Sequence, residues 1–388
     1  MESLNLINCF EINIKIWKII GLWPANYSWK QYNILSKIFI AVMVFIFDML
    51  ITFNLFFITK HLDLFIENIL FYFTALVSLS KAITFLTARD LITNIFYSLQ
   101  RDIFQPNNDD ELKIIKRANS FNITYWKIVA IVSLASHIAH IIVPIIMHLV
   151  FSEDLQLPAC DYSFLSKEFF DKFKYLLYLY QCFGIQYIIL INLNVDTFIL
   201  GLMVLTIAQL DVLALKLRNV TDLTNVNEIY CETATIERIH NCVKHFEEIA
   251  RFCSQVQRVF SFIIFVQFSM ASCIICVCLF RMTMPAPIAY DIFLVTYMCI
   301  VILQILVPSW FGSKIVDKSQ SLTIAAYSCA WIPRSRRFKS SLRLFVERVN
   351  VPLCIVGGKM FVLCLNTFTS IMNSAYSFFT LLRHMQAR

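Results

Sequence analysis

The residues with the most chemistry to offer stand near the C-terminal end. Asn366, Ser370, Asn373, Ser377, Thr380 and His384 recur at spacings of 4, 3, 4, 3 and 4, which puts all six on one face of a 3.6-residue helix. Inside an otherwise apolar helix such a face is wet or hydrogen-bonded. Two arrangements satisfy it. Several copies of the helix around an axis would line an aqueous pore, with bulky Leu381 beside the stripe as a dewetting constriction; alternatively, the polar groups hold neighbouring helices together. A second stripe, Ser133, His137, His140, Pro144 and His148, repeats at 4, 3, 4 and 4. Its imidazoles suit a hydrogen-bonding cavity, with a proton relay or a metal as the weaker readings.

Catalysis finds no support. There is no His-Glu-x-x-His, no Gly-x-Ser-x-Gly and no intramembrane pair of acids at a spacing typical of proteases or pumps, and the 6 glycines assemble no phosphate-cradling loop. No cofactor is expected. Cys273, Cys276 and Cys278 form a Cys-x-x-Cys-x-Cys cluster without a neighbouring His or carboxylate, which reads better as small core residues than as a metal site.

These stripes need a membrane bundle to position them. Of 388 residues 59% are hydrophobic and 15% charged, against about 25% charged in soluble domains. A bilayer core ~30 Å thick takes ~20 apolar residues per helix. The expected fold is therefore an all-α integral membrane bundle of seven transmembrane helices, at approximately 37–59, 65–87, 126–150, 175–208, 257–282, 288–311 and 353–383 of a single 1–388 domain. Asp48 falls at the centre of the first span, and Glu67 and Lys81 fall in the second. A buried Asp48 must be neutral or paired, and Lys81 is the basic residue nearest in depth unless it snorkels to the interface. Glu2 and Glu11 replace the basic start of a cleavable signal, so the first span is expected to direct insertion.

Between the fourth and fifth spans the chain stays helical. Leu210, Leu213, Leu217 and Val220, then Ile236, Ile239, Val243, Phe246, Ala250 and Cys253, repeat at threes and fours. A third amphipathic piece carries Phe338, Leu342, Phe345 and Val349. These stretches, 209–256 and 334–350, are expected to pack as helical extensions outside the membrane. Connections on their side hold twenty-three basic residues and those on the other side seven. The positive-inside rule then places the N-terminus and the extensions in the cytoplasm and the C-terminus outside. The net charge of +7 faces anionic lipid rather than nucleic acid. The sequons at Asn26, Asn122 and Asn219 fall on the cytoplasmic side and only Cys160 lies in an outside loop, so no extracellular disulfide framework is expected. The long outside loop, 151–174, either covers an entrance or is a solvated acidic connection.

In this topology the His137/His140 stripe lies in the outer half of its helix. Phe71, Tyr72 and Ala75 of the second span, Tyr178, Gln181, Cys182 and Ile185 of the fourth, and Phe293, Thr296 and Tyr297 of the sixth are its expected neighbours. An aromatic pocket with few polar groups suits a small, mostly apolar ligand, though packing is the plainer reading of each residue taken singly.

The C-terminal third carries more specific marks. Tyr327-x3-Trp331, Arg334-Ser-Arg-Arg-Phe-Lys-Ser-Ser-Leu, Pro352, Gly358-Lys359, Thr367-Phe-Thr-Ser-Ile and Ala375-Tyr-Ser-Phe-Phe-Thr-Leu-Leu-Arg383 closely resemble the C-terminal signature of the insect odorant receptor family, over residues 308 to 383. The Phe311-Gly312 step and the seven-span topology extend the likeness. The resemblance implies a heterotetrameric, odorant-gated, non-selective cation channel formed with the odorant receptor co-receptor in the plasma membrane of olfactory neuron dendrites. It implies a ligand-tuning subunit, since the co-receptor's long insertion between the fourth and fifth helices is absent. It also implies a central pore lined by the last span, a gate at Leu381 with Thr380, Arg383 and His384 around it, cytoplasmic anchor helices where subunits meet, and a volatile ligand held in the outer half of the bundle among spans two to six. Asn366 departs from the acidic residue many members carry there. A gustatory-type channel would show Thr-Tyr-x5-Gln-Phe in the last span, which is missing. A G-protein-coupled receptor would be oriented N-terminus out with Asp-Arg-Tyr and Asn-Pro-x-x-Tyr motifs, and a transporter would show repeat symmetry.

Overall fold

The computed structural model describes residues 5–23, 30–58, 62–151, 155, 157–221, 228–285 and 288–386. A short 3-10 turn leads into α1 (Glu11–Ile19). A helix follows in two parts, α2 (Lys30–Ile40) and α3 (Phe47–Leu55), joined by a π-helical turn at Ala41–Ile46. Then come α4 (Leu62–Thr87), α5 (Arg89–Leu99), α6 (Asp109–Phe151), α7 (Lys167–Arg218), α8 (Glu228–Arg281), α9 (Ile288–Tyr327) and α10 (Arg336–Val349). A two-stranded hairpin, β1 (Val356–Gly357) and β2 (Phe361–Val362), precedes α11 (Leu365–Gln386).

Among the described residues six helices are long and apolar enough to cross a membrane: α2–α3, α4, α6, α7, α8 and α9. The seventh helix of the expected bundle differs from the sequence reading in two respects. It begins at Leu365 rather than at 353, because 356–362 is spent on the hairpin. Its polar stripe also dilutes its hydrophobicity below that of the other six, although 22 residues at 1.5 Å each span about 33 Å.

The 52 residues of α7 and the 54 of α8 run to about 80 Å, far beyond a hydrocarbon layer of ~30 Å. Their far ends, with α10, form the helical extension the amphipathic stripes predict. Ser335 caps α10 by accepting from the Phe338 N–H, and Phe338, Leu342, Phe345 and Val349 are all buried. Helix α7 is the central post, packed against α4, α6, α8 and α9. On the flank, α6 leaves Ile131, Val132, Ile138, Val143, Leu149 and Val150 more than half exposed, an apolar surface that suits lipid.

Helix α1 lies against α7 through Phe10 and Trp17. Their rings meet Phe198 at 4.9 and 4.8 Å, and Trp17 meets Phe85 at 4.7 Å. Asn13 Nδ2 donates to the Asn194 carbonyl at 3.0 Å and to Thr197 Oγ1 at 2.9 Å. The spacing of Phe10, Ile14 and Trp17 is the sequence signal for this helix.

The bundle's polar centre corrects the expected partner of Lys81. That side chain is fully buried, with Nζ 2.6 Å from Asp196 Oδ1 and 2.9 Å from Asn192 Oδ1, both on α7. Gln304 of α9 donates to Asp196 Oδ2 at 2.7 Å, and Gln267 of α8 donates to the Gln304 carbonyl at 3.3 Å. Asp48 takes no part. It is 5% exposed and neither carboxylate oxygen has a hydrogen-bond partner. The reason is depth. Asn54 bonds Asn68 at 3.1 Å across the antiparallel α3–α4 pair, which sets Asp48 level with residue 74 and leaves Lys81 seven residues, about 10 Å, further along.

Breaking a buried ion pair from one side strands the other charge, at a cost of roughly 3–5 kcal/mol. Because Asp196 retains some exposure, Lys81→Met is expected to lose on the order of 3 kcal/mol, and adding Asp196→Asn should restore most of it. Thermal unfolding of the detergent-solubilised protein measures this; strictly additive single-variant losses would show the pair is not coupled.

Candidate ligand pocket and pore face

Two groups of side chains emerge from this scaffold. The first lies at the end of the bundle where residues 155 and 157–166 stand between α6 and α7. The His140 ring of α6 stacks on Phe293 of α9 (5.4 Å, 18°) and approaches Phe71 of α4 at 6.0 Å. Phe293 in turn stacks on Tyr297 (6.0 Å, 14°) and meets Tyr290 at 6.1 Å. The Tyr297 and Thr74 hydroxyls share a short hydrogen bond. Aromatic faces with one imidazole and two hydroxyls make a surface for a small apolar molecule with a single polar function.

The connection above this cluster is a plug rather than a solvated loop. Leu155, Leu157, Ala159, Cys160 and Tyr162 are buried, while Asp161 faces out. Gln181 fixes it from α7: Oε1 accepts from the N–H groups of Ala159 (2.8 Å) and Cys160 (3.3 Å), and Nε2 donates to the Cys160 carbonyl (2.7 Å). The Ser163 N–H donates to Asn54 Oδ1 at 2.8 Å. His140 Nε2 lies 2.8 Å from the Pro158 carbonyl, so it is the donor, and this residue ties the plug to the cluster.

Of the residues expected at a pocket, Phe71, His140, Phe293 and Tyr297 are brought together. Ala75, Tyr178, Gln181, Cys182 and Ile185 serve the plug instead: the apolar ones pack with Leu155, Ala159, Cys160 and Tyr162, and Tyr72 leans against them. His137 lines a separate groove between α6 and α7, to which Tyr178 and Cys182 also contribute. Ser133 and Pro144 are half-buried. Thr296 is misplaced by the sequence reading. It is exposed and its hydroxyl returns to the Ile292 carbonyl at 2.8 Å, since one residue from Tyr297 is about 100° around the helix. Thr74 and Tyr290 were missed, although each stands three residues from a cluster member.

The second group is the stripe on α11. Asn366, Ser370, Asn373, Ser377, Thr380, Leu381 and His384 are all exposed, Leu381 by 55%. The Ser370, Ser377 and Thr380 hydroxyls bond carbonyls of their own helix at 2.8–2.9 Å. Among the described residues none of the six polar side chains bonds another helix. Polar adhesion within the subunit is thus not what the stripe does. The other face, with Phe368, Ile371, Met372 and Ala375, packs into the core.

The position of α11 is set by two tight backbone contacts. At Gly312 of α9 a Cβ would stand 2.1 Å from the Leu363 carbonyl oxygen. In the hairpin, Gly358 (φ 57) and Lys359 (φ 59) occupy a turn closed by Met360 N–H to Gly357 O at 2.9 Å, the left-handed pair of a type I′ turn. The cysteine cluster splits, Cys276 and Cys278 buried and Cys273 exposed. Among the described residues no group of three potential ligands could hold a metal.

Long apolar helices, a plugged aromatic cluster and an exposed polar helix face describe a multi-pass membrane receptor. The family model for the 7tm odorant receptors matches residues 61–376, and the chain belongs to that family. Odorant receptor 10 of Aedes albopictus is 28% identical over 37% of this chain and 38% of its own length. Odorant receptor 2a of Drosophila melanogaster is 26% identical over 53% and 54%. Each of these two alignments spans about half or less of the relative. Odorant receptor 46a, isoform A, of Drosophila melanogaster is 22% identical over 95% of this chain and 96% of that protein. Among solved structures, the olfactory receptor OR5 of Machilis hrabei in complex with eugenol superposes with a TM-score of 0.84 over 98% of both chains at 16% identity. At that identity the likeness is one of fold.

Burial pushes the Cys160 thiol up to about 12, so its reactive thiolate is scarce at neutral pH and grows as pH rises. Maleimide labelling of Cys160 is expected to be slow at pH 7 and to increase toward pH 10. Gln181→Leu, which removes three hydrogen bonds to the plug, should accelerate labelling at pH 7 several-fold, as read by intact mass; an unchanged rate would mean that Gln181 does not hold the plug.

Proposed function

We propose that the chain is the odorant-binding, ligand-tuning subunit of a heteromeric ligand-gated, non-selective cation channel, working with the shared odorant receptor co-receptor in olfactory detection. The observation that carries this is the α11 stripe: polar residues at helical spacing on a helix face that the subunit's own helices leave uncovered. A face that is polar, exposed and internally satisfied suits water and passing cations, and a ring of such helices would enclose a pore with Leu381 as its apolar constriction.

The aromatic cluster is the ligand site in this reading. The Machilis receptor of the same fold is found with eugenol, which supports a small volatile ligand here. Pocket recognition rests on Phe71, His140, Phe293 and Tyr297, with the plug excluding water above them. The basic connections support a cytoplasmic N-terminus and extension, so the plug faces outward and airborne molecules arrive at its side. The exposed Ile324, Tyr327, Ile332 and Leu344 of the extension support contacts with neighbouring subunits there.

Leu381→Ala, in the channel co-expressed with the co-receptor, is expected to raise basal current by widening the constriction; whole-cell recording that finds leak and ligand response both unchanged would remove Leu381 from the pore. Separately, Phe71→Ala, His140→Ala and Tyr297→Ala should re-order the ligands that activate the channel while surface expression persists. A current panel in which all three variants keep the parental ligand ranking would move the site elsewhere.

A further inference from the structure

A groove of about 630 Å³ runs between α6 and α7. It is not the aromatic cluster, since neither Phe71, His140, Phe293 nor Tyr297 lines it. Its rims are Ile138, Leu179 and Phe183, each more than half exposed, so it opens on the apolar flank of the bundle. The two helices are antiparallel. His148 meets Tyr175 at 3.4 Å at one end, and eleven residues along each helix, about 16 Å away, His137 and Gln186 are level at the other. Between these polar ends the walls are mostly apolar, with Ile141, Ile145 and Leu179 beside Tyr178, Cys182 and Phe183.

His137 makes this groove more than a lipid crevice. Its side chain is 5% exposed, and Nδ1 is buried without a hydrogen-bond partner. A buried polar nitrogen left unpaired is unfavourable, and at this position the membrane offers it nothing: His137 is at the midpoint of the 126–150 segment, where phospholipids present only methylenes. The His137 ring lines the groove, so a molecule that carries an oxygen to mid-membrane depth can meet it there. A neutral imidazole both donates and accepts, so it serves a hydroxyl or a carbonyl equally.

We propose that the α6–α7 groove is a second ligand site, which takes a long-chain aliphatic alcohol, aldehyde or ketone with its oxygen on His137 and its chain running toward His148. The molecule enters laterally from the bilayer, where it concentrates by partition. The site is independent of channel activity and stands whether or not the pore assignment does.

The test uses the full chain in phosphatidylcholine nanodiscs and 1-dodecanol carrying a diazirine at its methyl end. Photolabelling is expected on the segments 141–149 and 175–183. Unlabelled 1-dodecanol should displace it about fivefold better than dodecane at equal membrane concentration, the factor that about 1 kcal/mol of hydrogen bonding supplies. His137→Phe should abolish that preference, and Ile141→Trp, which fills the groove, should abolish labelling. Labels confined to α4 and α9, or equal displacement by dodecane on the unmutated protein, would overturn the proposal without any variant having to fold. So would labelling that 1-dodecanol fails to displace, which would mark the groove as an acyl-chain slot for bulk lipid.

Discussion

A lysine with no exposure in the middle of an apolar bundle must be neutralised where it stands, and the way Lys81 is neutralised constrains much of the architecture. Its ammonium is held by Asp196 and Asn192 on α7, and the second Asp196 oxygen is held by Gln304 on α9. Three helices are thus fixed in depth and rotation by one carboxylate, and Gln267 brings in a fourth. Apolar packing alone tolerates sliding, because one lipid-like surface resembles another. A short, directional contact in a low-dielectric interior does not. Helix α7, which carries the hub, is also the helix against which the N-terminal Phe10 and Trp17 settle.

On the plug side of the hub, two of these helices, α4 and α9, converge with α6 on the aromatic cluster. His140 belongs to both the cluster and the plug, stacking on Phe293 and donating to the Pro158 carbonyl. Any molecule that separates the Phe293 and His140 rings therefore loads the contact that seats the plug. Gln181 holds the plug by three hydrogen bonds from the opposite wall. The plug is thus seated by polar contacts to backbone, while the cluster beneath it is held by aromatic stacking.

Helix α11 is coupled to the bundle on one face only. The Gly312–Leu363 approach and the Gly358-Lys359 turn place its start, and among the described residues Ala375 is the last on it to be buried. Beyond that point Tyr376, Phe378, Leu381 and Met385 are exposed.

The sequence by itself determined what short-range periodicity can encode. The apolar runs placed the membrane helices, the threes and fours between 210 and 253 placed the extension, and the stripe from Asn366 to His384 placed one polar face on the last helix. The signature between 308 and 383 identified the family. What periodicity cannot encode is which face meets which helix at what depth. Only the tertiary structure decided that Lys81 belongs to Asp196 and not to Asp48, because the Asn54–Asn68 contact sets the α3–α4 register, which hydrophobicity does not encode. Gln181 reads in the sequence as a pocket residue and in the fold as the anchor of a plug, since its partners are backbone groups twenty residues away whose N–H and carbonyl any sequence would supply. Thr296 and Tyr297 are adjacent in the chain and about 100° apart on the helix, so one faces out and the other joins the cluster.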